Sequence, residues 1–441
     1  MRQIKAQYSL LALLLAIAAT VILPALGRVG LQSDEIMLAD LARQFSSSGV
    51  SSVFDGHGTD FPGNFYAYLV SLSKNMFQLT DAFAVRLPSA IIIILLTLGM
   101  FQFRGQNETL NKSFLASLLF LSSYTVSALA YHANVITIMS LFFIFALSSL
   151  YHWIKRPSAE KAWYLITASA CSAIFIGILS PVIILTIGII FSFLQDTDKT
   201  SKAIKTLFMT AAGTAAAYII VLFITNDKQS ADNVLGIGQA TYALEEYGKL
   251  HSFLVHTFFS IFPWSVPIII ALFWIVCNPS WLRNKFLALS LFKQFGVVVF
   301  IISIPTLIAV NRLSLVMLLA AIYFNMPMIS SFLLSQIHNH SVTWRITGGI
   351  FAALIASLAI LFIATKAGFD ISFTGFALTG ISGWSIWSIT LLFCILASLY
   401  TLWRNQRTIR FNNRYLYNIV ILYLLAQILY KAFINPYLTV I

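Results

Sequence analysis

The sequence predicts an all-α polytopic membrane protein, one integral membrane domain over residues 1–441 built from about thirteen spans. Hydrophobic residues make up 59% of the chain and charged residues 10%, with a mean hydropathy of +0.86. Soluble globular domains carry roughly a quarter charged residues. The apolar residues fall into runs of about bilayer length, and most Lys and Arg residues cluster in the short stretches between them. The net charge of +12 therefore reads as basic cytoplasmic loops, and no nucleic-acid partner is expected, since that would need one continuous basic surface. Cys171, Cys277 and Cys394 each sit inside an apolar run without pairing or ligand spacing, so neither a disulfide framework nor a zinc site is indicated.

Arg2 and Lys5 precede the first run, 8–26, which is long enough to span and reads as an uncleaved signal anchor with a cytoplasmic N-terminus. Further runs follow at 83–103, 113–130, 134–153, 162–179, 181–194, 203–224, 253–277, 286–310, 313–334, 346–364, 383–403 and 416–434. The segment 64–79 decides the sidedness of all of them. If it spanned, Arg104 with Lys112, Lys155 with Arg156 and Lys161, Lys199 with Lys202 and Lys205, and the four arginines from Arg404 to Arg414 would all face outward, against the positive-inside rule. Laid on the outer face, 64–79 turns every one of these clusters cytoplasmic. Its residues agree: Phe65, Leu69, Leu72 and Met76 make one apolar stripe, and Asn64, Ser71, Lys74, Asn75 and Gln78 occupy the other side. Pro62 near the first turn suits the start of an interfacial helix. The expectation is a first outer loop at 27–82 carrying amphipathic helices and a second at 225–252. The C-terminus then lies outside, and the protein lies in the bacterial cytoplasmic membrane.

With this topology the unusual polar residues converge on the outer face. Asp34, Glu35, His57 and Asp60 lie in the first outer loop, and Arg86 opens the following span. His132 and Asn134 lie in an outer turn, Glu245, Glu246, His251 and His256 flank the second loop, and Asn311 with Arg312 forms a tight outer turn. The apolar interiors contain no Asp or Glu, and Lys293 is near enough to the inner end of its span to snorkel. An ion-coupled transporter would keep an acid or a broken helix near the midplane, so the distribution favours chemistry at the outer interface. Each residue also has a structural reading. Ser33 can cap a helix whose dipole Asp34 and Glu35 complement, Arg86 can anchor an interface, Arg312 can be the solvated charge of a turn, and His132, His251 and His256 lack the spacing of a metal site.

The order of the outer-face motifs resembles a known pattern. Ser33-Asp34-Glu35, then Gly58-Thr59-Asp60-Phe61-Pro62 leading into 64–79, then Arg86-Leu87-Pro88-Ser89-Ala90, and later Phe262-Pro263-Trp264, together are similar to GT-C glycosyltransferases. The branch they resemble contains protein O-mannosyltransferases and lipid A aminoarabinose transferases. Two places depart from that pattern: Phe61 stands where relatives carry a lysine before the proline, and Leu179-Ser180-Pro181 stands where many relatives have a Thr-Lys-Gly-Pro-like stretch, again without the lysine. The resemblance implies a GT-C-like bundle with outer-face juxtamembrane helices. It implies transfer of a sugar, with inversion, from a polyprenyl-phosphate donor to a lipid, glycan or protein acceptor. It would make Asp34 the base, with Glu35, His57, Asp60, Arg86, His132, His251 and Arg312 as substrate-binding groups. Arg86, Arg312 or a histidine would replace the missing lysines on the donor phosphate. It assigns no cofactor and leaves divalent-cation dependence open. The competing classes are a lipid-linked sugar flippase or transporter and a non-catalytic paralogue that binds prenyl-linked lipid.

Overall fold

The computed structural model describes residues 2–27, 30–48, 61–102, 109–193, 199–225, 290–309, 311–339, 371–373, 376–378, 392–400, 413–429 and 438–440, with short helical pieces between 352 and 363. Helix α1 (Arg2–Ile22) continues into a 3-10 turn at Leu23–Ala25, where Pro24 fits because the first turn has no N–H partner to lose. Two helices follow in the expected first outer loop, α2 (Ser33–Ser48) and α3 (Phe61–Phe77). Beyond them come α4 (Asp81–Gln102), α5 (Leu110–Ser122), α6 (Tyr124–Tyr131), α7 (Val135–Lys155), α8 (Ala159–Ile176), α9 (Leu179–Phe193) and α10 (Lys199–Thr225). The later part holds α11 (Leu291–Ala309), α12 (Asn311–Asn339) and α13 (Asn413–Leu429).

Among the described residues α4, α7 and the 203–223 part of α10 are long and apolar enough to cross a membrane. The expected span 113–130 is a broken one: α5 and α6 pass that test together but meet at 61°. Serines make this break. The hydroxyls of Ser122 and Ser123 both donate to the Leu119 carbonyl, and Gln427 of α13 donates to the Ser122 carbonyl freed at the bend. A carbonyl left open in an apolar bundle costs more than the bend itself. The remaining apolar helices, Ala6–Ile22, Leu179–Phe193, Leu291–Ser303, Leu315–Ser331 and Leu416–Leu429, are shorter. The expected run 253–277 lies outside the described residues, as do the second outer loop and parts of 346–364 and 383–403.

Among the described residues the helices close on a large hydrophobic core that runs from Leu14 through Leu118, Phe143, Ile184 and Phe295 to Leu416, with a small second one of Ala170, Ala173 and Ala217 between α8 and α10. Helix α7 packs on α8, α8 on α10, and α11 along α12. The last pair is drawn close by Gly296, where a Cβ would lie 2.6 Å from the Phe324 carbonyl oxygen, and Asn325 donates to the Gly296 carbonyl across the same contact. Three short strands, β1 (Ile371–Phe373), β2 (Phe376–Leu378) and β3 (Leu438–Val440), form an antiparallel sheet in that order. The all-α expectation did not include it, because three-residue strands carry too few residues for a period-two pattern to show.

Helices α2 and α3 are what place the site. In α3 Phe65 and Leu69 are half-buried and pack on the core, Phe65 edge-on to Phe175 at 5.1 Å between ring centroids, while Leu72, Met76 and Phe77 are exposed and Asn64 and Ser71 are buried. Large exposed apolar side chains on the last turns suit a helix that lies against lipid. Single cysteines at Asn75, on the polar side of α3, and at Ser201 in a cysteine-free background should differ in labelling by an impermeant thiol reagent added to the outer face. Label at 75 and none at 201 is expected, and the opposite pattern would reverse the topology.

Candidate functional site

Helix α2 begins with a reciprocal cap. The Ile36 N–H donates to the Gln32 carbonyl at 2.9 Å, and the Gln32 N–H donates to Glu35 Oε2 at 3.0 Å, the carboxylate half of a capping box. Gln32 thus takes the capping place that the sequence suggested for Ser33, whose hydroxyl lies 3.5 Å from Asp34 Oδ1. From there the helix buries Glu35, Leu38, Ala39, Ala42 and Phe45 and exposes Asp34, Ile36, Met37 and Asp40. The adjacent acids therefore part company. Glu35 is 2% exposed, while Asp34 faces outward.

Glu35 meets Arg86 of α4, also 2% exposed. Arg86 Nε donates to Oε1 at 2.8 Å and Nη2 to Oε2 at 2.5 Å, a bidentate fork. The guanidinium also donates to the Leu26 carbonyl through Nη1 and the Gly30 carbonyl through Nη2, both at 2.8 Å. Glu35 Oε1 accepts the Ala133 N–H at 3.0 Å, and His132 Nδ1 stands 3.9 Å away. One ion pair thereby joins the end of α1, the start of α2, α4 and the turn between α6 and α7. Burial alone would push the Glu35 carboxyl up. The hydrogen bond from Arg86, those from the Ala133 and Gln32 N–H groups and the guanidinium charge outweigh it and hold the group below its ordinary 4.5.

A hydroxyl layer supports the pair from below. Tyr66 of α3 donates to the Val85 carbonyl at 2.9 Å and lies 2.8 Å from Ser89 Oγ, which is 3.1 Å from Thr137 Oγ1 and accepts the Asn134 N–H. Asn134 in turn caps α7 by accepting the Ile136 N–H at 2.9 Å. Sequence reasoning did not assign roles to Tyr66, Ser89 or Thr137. The available signal was spacing, since Ser89 follows Arg86 by three residues and shares its helix face.

At both places that depart from the resembled pattern the packing carries no charge. Phe61 packs on Phe175 at 5.4 Å between ring centroids, and Phe175 stacks on Phe142 at 4.2 Å. Two residues beyond Phe175, Gly177 ends α8 at φ 95°, a conformation open to glycine, and its carbonyl accepts from the buried Ser180. Ser180 Oγ also accepts from Ser172 at 2.8 Å. An aromatic cluster and a serine cap occupy the ground where lysines were the expected pattern.

Of the sequence candidates, Asp34, Glu35 and Arg86 lie at the starts of α2 and α4, and His132 lies in the turn after α6. Among them Arg86 is held by Glu35 and two carbonyls, an arrangement that differs from the expected free phosphate-binding cation. His57, Asp60 and His251 lie outside the described residues. Asn311 and Arg312, expected to form a tight turn, are the first two residues of helix α12; the residue between α11 and α12 and the Arg312 side chain lie outside the described residues. Among the described residues no group of three His, Cys, Asp or Glu side chains is placed to hold a metal ion.

No protein-family model matches the chain, and no curated protein sequence matches it. Solved structures do. ArnT from Cupriavidus metallidurans bound to undecaprenyl phosphate superposes with a TM-score of 0.60 at 12% identity, over 96% of this chain and 77% of that one. The apo state of the same protein gives 0.57 at 13%, over 98% and 78%. The chain has the fold of these two structures, the fold that its motifs implied.

Removing one partner of the buried pair leaves the other charge unpaired, so Glu35→Gln should lower stability at neutral pH by about 3–5 kcal/mol. The Glu35 pKa is depressed on folding, so its contribution is complete above the ordinary carboxylate range and declines as pH falls through the lower folded value. Unfolding of wild type and Glu35→Gln across pH 3–8 should show a gap that is widest at neutral pH and narrows below about 4.5. A gap independent of pH would show that the charge is not what Glu35 contributes.

Proposed function

We propose that the chain transfers a sugar from a polyprenyl-phosphate donor to an acceptor at the outer membrane face, with inversion at the anomeric carbon. The observation that carries this reading is the division of labour within one acidic pair. Glu35 is sealed against Arg86, and Asp34, the next residue, stands exposed on a helix start fixed by that seal. A base held at the edge of a rigid buried network suits a reaction that needs one proton removed at a defined place. The fold likeness to ArnT bound to undecaprenyl phosphate supports a prenyl-phosphate donor.

In this mechanism an acceptor oxygen attacks the anomeric carbon on the face opposite the prenyl phosphate. Asp34 takes the acceptor's proton, the bond from the anomeric carbon to the phosphate oxygen breaks, and the electron pair leaves on the polyprenyl phosphate. Glu35 and Arg86 are positioning residues: they set the pitch of α2 and fix the turn that presents His132. The departing phosphate needs a cation or hydrogen-bond donors, for which His132 and Arg312 are the candidates, with His57, Asp60 and His251 contributing to sugar and acceptor binding. Phe61 and Ser180 support one alternative, a paralogue that binds prenyl-linked lipid without turnover, because neither supplies the charge of the lysine in the pattern.

Protein reconstituted in liposomes with a panel of prenyl-phosphate sugars and a cell-envelope extract as the source of acceptor should release prenyl phosphate in a saturable way. Asp34→Asn should lower that rate by about 100-fold or more while its unfolding shifts by no more than the roughly 0.3–1 kcal/mol of a helix-start charge. Full activity in Asp34→Asn would remove it as the base, saturable binding without release would favour the non-catalytic paralogue, and turnover of a nucleotide sugar without any lipid carrier would overturn the donor assignment.

A further inference from the structure

A cavity of about 160 Å³ opens between α2, α3 and α4, separate from the exposed side of α2 that carries Asp34. It exists because α2 and α4 meet there through alanines, Ala39, Ala42 and Ala84, whose side chains do not fill the space between the helices. Arg43, Lys74, Asn75 and Asp81 make its polar part. Asp81 Oδ1 accepts from Lys74 Nζ at 2.5 Å and Oδ2 from Arg43 Nη2 at 2.9 Å, and Arg43 Nη1 donates to Asp40 at 2.8 Å. The network is open to solvent, with Arg43, Lys74 and Asp81 side chains 58%, 42% and 36% exposed.

Two cations that bind the two oxygens of one carboxylate are near enough to meet two oxygens of one phosphate as well. Their donors are not exhausted. Among the described residues Lys74 Nζ has Asp81 as its one hydrogen-bond partner, and neither Arg43 Nε nor the Asn75 amide has one. The turn of α3 that carries Lys74 and Asn75 also carries Met76 and Phe77, 72% and 60% exposed, large apolar groups that a bilayer interface covers and bulk water does not. A phosphate-sized polar recess beside exposed apolar side chains matches the two ends of a phospholipid.

We propose that this cavity is a phospholipid headgroup site, in which Arg43 and Lys74 hold the phosphate of an outer-leaflet lipid. The bound lipid staples α2 and α3 to the start of α4, and so steadies the helix that bears Asp34 and Glu35. The site stands whether or not the chain transfers sugar. It also differs from a plain ion-pair latch in sign at one residue. In a latch Asp81 is the partner both cations need, whereas in a headgroup site Asp81 competes with the phosphate for them.

The test is lipid retention by native mass spectrometry of the purified chain with added phosphatidylglycerol, followed as detergent is raised. Arg43→Ala with Lys74→Ala should retain about tenfold less lipid than wild type, as expected when two charge-assisted hydrogen bonds are lost. Asp81→Asn should retain as much as wild type or more. Equal loss in Asp81→Asn and the double variant, or unchanged retention in the double variant, would overturn the proposal. So would inorganic phosphate alone displacing the lipid at matched concentration, which would make the recess a free-anion site. If the double variant fails to fold, Asp81→Asn decides: retention at or above wild type supports the headgroup site, and retention below it overturns the site.

Discussion

The packing of α1, α2, α4 and the turn before α7 depends on one ion pair that water hardly reaches. Taking a carboxylate and a guanidinium out of water costs several kcal/mol per ion, and their mutual attraction offsets that only when the remaining hydrogen-bonding capacity is met. Here it is met from the backbone. Glu35 accepts the N–H groups of Gln32 and Ala133 besides the Arg86 fork, and Arg86 donates to the carbonyls of Leu26 and Gly30. Each of those backbone groups belongs to a chain end or a turn, where no helix ladder would satisfy it. The pair and the loops therefore stabilise each other, and the start of α2 has one position compatible with all of them.

That constraint explains why two neighbouring acids differ so much. Successive residues on a helix lie 100° apart, so a helix that seals Glu35 must turn Asp34 away from the same contact. The hydroxyl layer of Tyr66, Ser89 and Thr137 continues the logic downward, since it lets α3 sit across the first turns of α4 and the cap of α7 without an unpaired polar group. These layers hold the start of α2, and with it Asp34, in one position.

Much of this was legible in the sequence, because apolar runs and basic loops carry strong periodic signals. The runs 83–103, 134–153 and 203–224 return as α4, α7 and α10. The sequence also assembled Asp34, Glu35, Arg86 and His132 on one face. It did not show that Arg86 belongs to Glu35, since the partners are 51 residues apart in the chain and nothing local marks a pair. The bend between α5 and α6 was hidden for a similar reason: Ser122 and Ser123 look like ordinary small residues until Gln427, 305 residues away, is seen to take up the freed carbonyl. The substitution of Phe61 for an expected lysine was visible as a departure, and only packing against Phe175 shows that an aromatic cluster has replaced a charge.

The account rests on a prenyl-phosphate sugar being consumed at Asp34, and lipid extracts test that without knowledge of the acceptor. Prenyl lipids would be compared from cells that lack the chain, cells that carry it, and cells that carry Asp34→Asn at equal membrane abundance. Accumulation of one prenyl-phosphate sugar in the first and third, and not in the second, is the expected result. An identical prenyl-lipid profile in all three would contradict the account.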